Sequence, residues 1–124
     1  MESPSMSIPP DPKRGEIWRV DLNPTQGAEM SKIRPAVVIN SSTVGRLPLR
    51  LIVPVTTWDV RYTSYSWMVR LDPDASNGLS RPSTADAFQI RSVSLDRFMD
   101  RLGVLADDVT DQIAAAVALC VDAL

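Results

Sequence analysis

Much of this chain alternates apolar and polar residues with a period of two. Ile17, Trp18, Val20 and Leu22 within EIWRVDL (16–22) mark a first strand. An aperiodic loop (23–33), punctuated by Pro24 and Gly27, separates it from the apolar run after Pro35. Residues 36–40 are expected to form the second strand, because proline starts a strand more readily than it sits inside a ladder. LRLIVPVTT (49–57) is nearly all apolar and predicts a third strand, in which Pro54 implies a bulge or an edge. Trp67, Val69 and Leu71 alternate in a fourth (66–72), and further strands are expected at 84–91 and 101–105. From Asp107 the period changes: Val109, Ile113, Val117, Cys120, Val121 and Leu124 recur at three and four residues, an amphipathic helix of about four turns. Five or six short strands followed by one terminal helix predict a small, mainly β barrel.

Size and composition narrow this further. At 124 residues, with 44% hydrophobic content, the chain is one domain able to bury a single core. No apolar run reaches the roughly 18–20 residues of a membrane span. The N-terminal MESPSMSIPPDPK has no apolar signal region and reads as a disordered tail (1–13) before a folded domain at 14–124. The lone cysteine, Cys120, excludes an internal disulfide, fits a cytoplasmic location and is expected in the core. The chain has no histidine, which removes the commonest general base and the commonest zinc ligand and with them zinc hydrolases, Ser-His-Asp hydrolases and two-histidine ribonucleases. The net charge of −2 hides an asymmetry: residues 13–70 carry nine Lys/Arg against four acids (+5), and residues 71–124 four Arg against nine Asp (−5). A basic face for nucleic acid is therefore compatible with an acidic chain, unless folding interleaves the two halves.

Three features carry candidate chemistry. Arg34 precedes Pro35, which restricts its backbone and so aims its side chain. Its guanidinium suits a phosphate by bidentate geometry, and equally suits an ion pair with Glu29 on the adjoining loop; the residues leave both open. Thr56 and Thr57 end the most apolar strand, where a rigid scaffold presents hydroxyls to the surface. In TTWDVRYTSY (56–65), Trp58, Tyr62 and Tyr65 interleave with Arg61, as in surfaces that stack single-stranded nucleic acid, although a loop folding its aromatics onto the core has the same pattern. Asp107 and Asp111 are spaced i,i+4, but with no third ligand nearby they read as complements of the helix dipole, and no metal site is assigned.

RGEIWRVDLNPTQGAEMSKIRPAVVI (14–39) resembles the opening signature of the MazF/PemK (Kid-like) family of toxin endoribonucleases, G-E-[IV]-W-x-V-D-x-x-P-x-x-G-x-E-x-x-K-x-R-P-A-V-V. LIVPVTT (51–57) is similar to the family's second block, and NGLSRPST, FQIR (88–91) and RLGVLADDVTDQIAAAV (101–117) to its third block and terminal helix. The resemblance covers about residues 14–121. It implies an SH3-like β barrel with a C-terminal helix, shared by MazF, PemK and CcdB toxins, assembled as a homodimer. It also implies a ribosome-independent mRNA interferase that cuts single-stranded RNA at short sequences without a metal or other cofactor. In that chemistry the ribose 2'-hydroxyl attacks the adjacent phosphorus, leaving a 2',3'-cyclic phosphate and a 5'-hydroxyl. The resemblance places the catalytic residues on Arg34 and Thr56, its loop acid, a candidate base, on Glu29 and its third-block glutamine on Gln89; the candidate RNA contacts are Lys32, Thr57, Trp58, Arg61, Tyr62, Gln89, Asn23 and Thr25. The implied partners are the RNA and a cognate acidic antitoxin, with promoter DNA reached only through that antitoxin. Alternatives are a CcdB-like gyrase poison acting by binding, and a catalytically degenerate autorepressor partner. The chain departs from the family pattern at Ile33, at Phe88, where an acid often precedes the glutamine, and at Ala106, where a helix-capping Ser/Thr is missing.

Overall fold

The computed structural model describes residues 9–44 and 47–123. Seven strands and one helix follow in order: β1 (Glu16–Asp21), β2 (Ile33–Val38), β3 (Leu49–Thr57), β4 (Met68–Leu71), β5 (Ser83–Asp86), β6 (Arg91–Ser94), β7 (Phe98–Val104) and α1 (Asp107–Cys120). Neighbouring strands are antiparallel and run β4-β5-β3-β2-β1-β7, with β6 also on β3. The architecture is the expected mainly β sheet with a C-terminal helix, but the ladder is open: β4 and β7 end the path without pairing with each other. The loop at 73–82 packs on β7 instead. Val104 N donates to Ser76 O at 2.9 Å, and a Cβ added to Gly78 would lie 2.1 Å from Leu102 O.

The apolar run of β2 serves both faces of the sheet. Val37, Val53 and Val55 join a cluster with Ile17, Leu71, Leu105 and Ile113, on which α1 packs. Ala36, Val38 and Ile52 face the other way, into a cluster with Val20, Leu22, Val93 and Phe98. A strand buried on both sides reads as a continuous hydrophobic stretch rather than an alternation. Trp18 meets Phe98 edge to face at 5.8 Å at the margin of the second cluster. No helix among the described residues is long and apolar enough to cross a membrane.

Two prolines and one turn correct the predicted boundaries. β2 begins at Ile33, so Pro35 lies inside it, opposite Arg19 of β1. β3 pairs with β2 only over Ala36–Val38, which leaves Pro35 in a part of the strand flanked on one side and spares the missing N–H a ladder partner. Pro54 sits where β3 changes neighbours, from β6 (Leu49–Ile52) to β5 (Val55–Thr57). The expected strand at 84–91 is broken at Ala87–Gln89 by a single 3-10 turn, because the Asp86 carboxylate accepts the Phe88 N–H at 3.1 Å.

Helix α1 starts after Ala106, which offers no side-chain cap, at a cost of about 1 kcal/mol relative to Ser or Thr. Asp107 and Asp108 complement the dipole of its first turn. Cys120, expected in the core, is half-buried near the helix end; burial pushes its thiol pKa up, and the nearby Asp86 charge adds to this. Residues 1–8 of the predicted tail lie outside the described residues. Within 9–13, Pro12 is buried, and Arg50 of β3 donates to Pro12 O at 2.9 Å and to the Asp11 carboxylate at 2.9 Å.

Gly78 combines a φ of +70° with the close approach to Leu102, so a side chain there meets backbone and strain together. Gly78→Ala is expected to destabilise the fold by roughly 2–3 kcal/mol. Urea unfolding checks this, and an unchanged midpoint would contradict the tight packing of the loop on β7.

Candidate active site

The register between β2 and β3 builds the site. Ala36 lies opposite Pro54, and the same antiparallel register extended by two residues sets Arg34 opposite Thr56. Arg34 Nη1 donates to Thr56 Oγ1 at 3.3 Å, and Arg34 Nε donates to Ser31 O at 2.8 Å. Both partners are neutral. The alternative pair with Glu29 does not form: the Glu29 carboxylate accepts the Gln26 N–H at 2.6 Å inside its own loop. The guanidinium is therefore half-buried and oriented, with no counter-charge among the described residues.

Arg34 and Thr56 face a cleft of about 350 Å³, lined also by Ile33, Pro35, Thr57, Leu79, Ser80, Arg81 and Ser83. Its polar lining is two guanidiniums and four hydroxyls, with no carboxylate. Such a surface favours an anion and supplies preorganised donors where negative charge develops on phosphate oxygens. Arg81, absent from the sequence reading, comes from the glycine loop at 73–82. Buried Asn77 shapes that loop, accepting the Asp74 and Leu79 N–H groups at 3.2 and 3.0 Å and donating to Asp72 O at 2.8 Å. The Asn77-Gly78 pair was the available signal, because a glycine turn anchored on a neighbouring strand fixes whatever follows it.

The remaining predicted residues fall in three other places. Glu29 and Gln89 line a second pocket of about 330 Å³ with Met30, Pro54, Phe88 and Arg91. The Gln89 amide is occupied there, accepting from Met30 N and donating to Ala28 O, each at 3.2 Å, so it clamps the loop at 23–32. Asn23 is also structural: its side-chain oxygen accepts the Lys32 N–H at 3.0 Å. That bond holds Lys32 at a φ of +73°, a conformation costing a non-glycine residue about 1 kcal/mol or more, and turns the chain into β2 just ahead of Arg34. Thr25 is half-buried on the same loop and lines neither pocket. Trp58, Arg61 and Tyr62 lie beyond Thr57 on a short 3-10 helix at Val60–Ser64 and its approach.

The charge asymmetry is partly cancelled by folding. Arg14 pairs with Asp111 at 3.2 Å, Arg19 with Asp100 at 2.8 Å, and Arg101 with Glu16 at 2.9 Å, joining the basic and acidic halves. Burial alone would raise the Glu16 pKa, but the Lys13 N–H, the Trp18 indole and Arg101 outweigh it and hold the carboxyl below its usual value. Among the described residues, Lys32, Arg34 and Arg81 have no carboxylate within ion-pair distance. Arg91 and Arg97 also pair with no carboxylate and donate to the Leu22, Asp21 and Asn23 carbonyls instead; of these cations, Arg34 and Arg81 line the cleft.

Asp86 ends β5 and caps the turn that carries Phe88 and Gln89. It is 7% exposed, and burial pushes its pKa up, opposed by the Phe88 and Gln89 N–H groups. A carboxyl whose folded pKa exceeds its unfolded value of 3.8 loses native stability as pH rises from the unfolded towards the folded pKa. Asn keeps an acceptor for the Phe88 N–H and carries no charge. Asp86→Asn is thus expected to be more stable than the parent at pH 7, the gap closing below about pH 3.8. Urea midpoints measured from pH 3 to 7 check this, and a variant losing stability equally at every pH would contradict it.

The comparisons with known proteins bear on the family and the fold. A family model described as PemK-like, MazF-like toxin of type II toxin–antitoxin system matches residues 13–121. Endoribonuclease MazF9 of Mycobacterium tuberculosis is 34% identical over 116 residues, spanning 89% of this chain and 96% of the relative. MazF from Deinococcus radiodurans superposes with a TM-score of 0.74 at 24% identity, over 90% of this chain and 96% of that one. A mycobacterial endoribonuclease solved in complex with its cognate antitoxin superposes with a TM-score of 0.70 at 20% identity, over 90% and 96%. At such identities the solved structures speak to the fold, whereas the family match spans nearly the whole domain. The chain belongs to the PemK-like, MazF-like toxin family of type II toxin–antitoxin systems.

Proposed function

We propose that this protein is the endoribonuclease toxin of a toxin–antitoxin pair, cutting single-stranded RNA without a ribosome. The observation that carries the reading is the Arg34 guanidinium bonded to the Thr56 hydroxyl at 3.3 Å in a cleft free of carboxylates. The curated relative named an endoribonuclease supports it. The cleft also favours it over gyrase poisoning by surface docking, which has no use for such a site.

In the proposed step the 2'-hydroxyl oxygen of one nucleotide attacks the adjacent phosphorus while the bond to the 5'-oxygen of the next breaks. The 2'-hydroxyl loses its proton, the departing 5'-oxygen gains one, and the products are a 2',3'-cyclic phosphate and a 5'-hydroxyl. Arg34, with Arg81 in the lining of the same cleft, binds the nonbridging oxygens and stabilises the charge they gain; Thr56 donates a hydrogen bond to the same group. Arginine keeps its charge at any working pH and does not take the proton. Lys32 and Thr57 border the cleft and contact the RNA backbone; Trp58, Arg61 and Tyr62 lie along its continuation. The toxin acts in the cytoplasm as a homodimer. Its cognate antitoxin, through an acidic disordered segment, covers the cationic cleft and folds on binding; that a mycobacterial endoribonuclease of this fold is solved with its cognate antitoxin supports an antitoxin partner.

Incubation of purified protein with varied single-stranded RNAs in EDTA is expected to yield 5'-hydroxyl and 2',3'-cyclic phosphate ends. Arg34→Ala and Thr56→Ala are each expected to keep the parent circular dichroism spectrum and lose about 100- to 1,000-fold in cleavage rate. Intact RNA with the parent protein across those sequences would overturn the reading.

A further inference from the structure

Two arginines outside the cleft spend their charge on backbone. Arg97, in the 3-10 turn between β6 and β7, donates from a single nitrogen, Nη1, to the Asp21 carbonyl at 3.0 Å and to the Asn23 carbonyl. Arg91, the first residue of β6, donates to the Leu22 carbonyl between them at 3.2 Å. Three consecutive carbonyls, where β1 gives way to the loop at 23–32, thus accept hydrogen bonds from guanidiniums. Both arginines are half-buried, and among the described residues neither has a carboxylate within ion-pair distance. Hydrogen bonds from a charged donor are the strong kind, and here they are placed on chain that is leaving the ladder.

The stem they grip leads to the site. Arg97 holds Asn23 by its carbonyl, and the Asn23 side-chain oxygen accepts the Lys32 N–H at 3.0 Å. Leu22 N donates to Lys32 O at 3.0 Å, so the two ends of the loop are joined at this point. Ser31, one residue before Lys32, supplies the carbonyl that accepts from Arg34 Nε at 2.8 Å. The path from Arg97 to Arg34 therefore runs through Asn23, Lys32 and Ser31, each link a hydrogen bond or the covalent chain. Arg97 itself lines neither the cleft nor the second pocket.

We propose that Arg97 is a positioning residue of the cleft: its guanidinium fixes the end of β1 so that Asn23 seats the Lys32 turn and the Ser31 carbonyl aims Arg34. The kinetic part of the proposal rests on the endoribonuclease reading above. Arg97 touches neither RNA nor the reacting atoms, and its charge serves the geometry of another arginine. Losing such support is costly, because a misplacement of about 1 Å at a catalytic group lowers the rate by up to about 100-fold.

On a single-stranded RNA, Arg97→Gln is expected to lower kcat by about 10- to 100-fold with KM within about twofold of the parent. Arg97→Lys recovers most of the loss, because one nitrogen serves both carbonyls and an ammonium supplies such a nitrogen. The salt dependence of kcat/KM keeps the parent slope in Arg97→Gln; a slope smaller by about one would make Arg97 a phosphate contact and overturn the proposal. Asn23→Ala lowers kcat similarly, and adding it to Arg97→Gln costs little more, since both cut one path; losses that multiply would contradict that path. The Nε–H resonance of Arg34 in the NMR spectrum of the RNA-free protein reads the same link without any cutting. It is expected to shift and to exchange faster with water in Arg97→Gln and Asn23→Ala, and to stay in place in Arg97→Lys. A parent-like kcat or a parent-like Arg34 resonance in Arg97→Gln overturns the proposal and leaves the endoribonuclease reading standing. If Arg97→Gln does not fold, the exposed Asn23 carries the test, and Asn23→Ala with the parent kcat and resonance overturns the proposal. A parent protein that cuts no RNA, while the Arg34 resonance moves as stated, overturns the endoribonuclease reading and leaves the positioning role standing.

Discussion

Everything at the cleft depends on an arginine held by neutral partners. Arg34 is fixed by the Ser31 carbonyl and the Thr56 hydroxyl, so its orientation is paid for without cancelling its charge. A carboxylate in either place would hold the side chain as well and abolish the site, because the guanidinium would arrive already neutralised. Strand register makes the arrangement possible: the β2–β3 pairing that buries Val37 and Val53 also sets residues 34 and 56 opposite one another. Core packing and site geometry thus share one constraint, and a slip of a single residue would turn Arg34 to the opposite face.

Supports around this pair come from three loops. Asn23 holds the strained Lys32 turn that leads into β2, and Gln89 clamps the backbone of the same loop from the far side. Asn77 and Gly78 seat the 73–82 loop on β7 and deliver Arg81 to the cleft wall. Asp86 caps the turn that carries Phe88 and Gln89, accepting the penalty of a buried carboxyl in exchange for a defined corner between β5 and β6. Each is a polar side chain bonded to backbone, which fixes irregular chain where no ladder is available.

The strands and helix were legible because burial imposes period and composition on them, and the two-sided β2 run is the clearest case. Arg34 and Thr56 were legible as candidates, through the restricted backbone before Pro35, the polar end of an apolar strand, and the family signature. Their direct contact was not, since register is a tertiary property that no single strand encodes. Pro35 misled the reading of β2 because a proline is tolerated wherever the strand has a partner on one side only. The break at 87–89 was invisible for a related reason: an aspartate caps a turn only if the chain bends to meet it. Gln89 and Asn23 look like ligand-binding groups in sequence, and in the structure the Gln89 amide and the Asn23 side-chain oxygen bond to backbone. Arg81 was missed because it lies in a loop without period, and its position follows from glycine packing against a strand far along the chain. Glu29, a candidate base, sits with Phe88 and Gln89 in the neighbouring pocket and not in the lining of the Arg34 cleft.

The central claim is that the scissile phosphate binds between Arg34 and Thr56. A crystal structure with an RNA strand made uncleavable by a single 2'-deoxyribose at the cut site tests it most directly. The account predicts the phosphate on the 3' side of that deoxyribose within hydrogen-bond distance of both the Arg34 guanidinium and the Thr56 hydroxyl. A strand bound with that phosphate elsewhere, and Arg34 still turned to the Ser31 carbonyl and Thr56 alone, would contradict it.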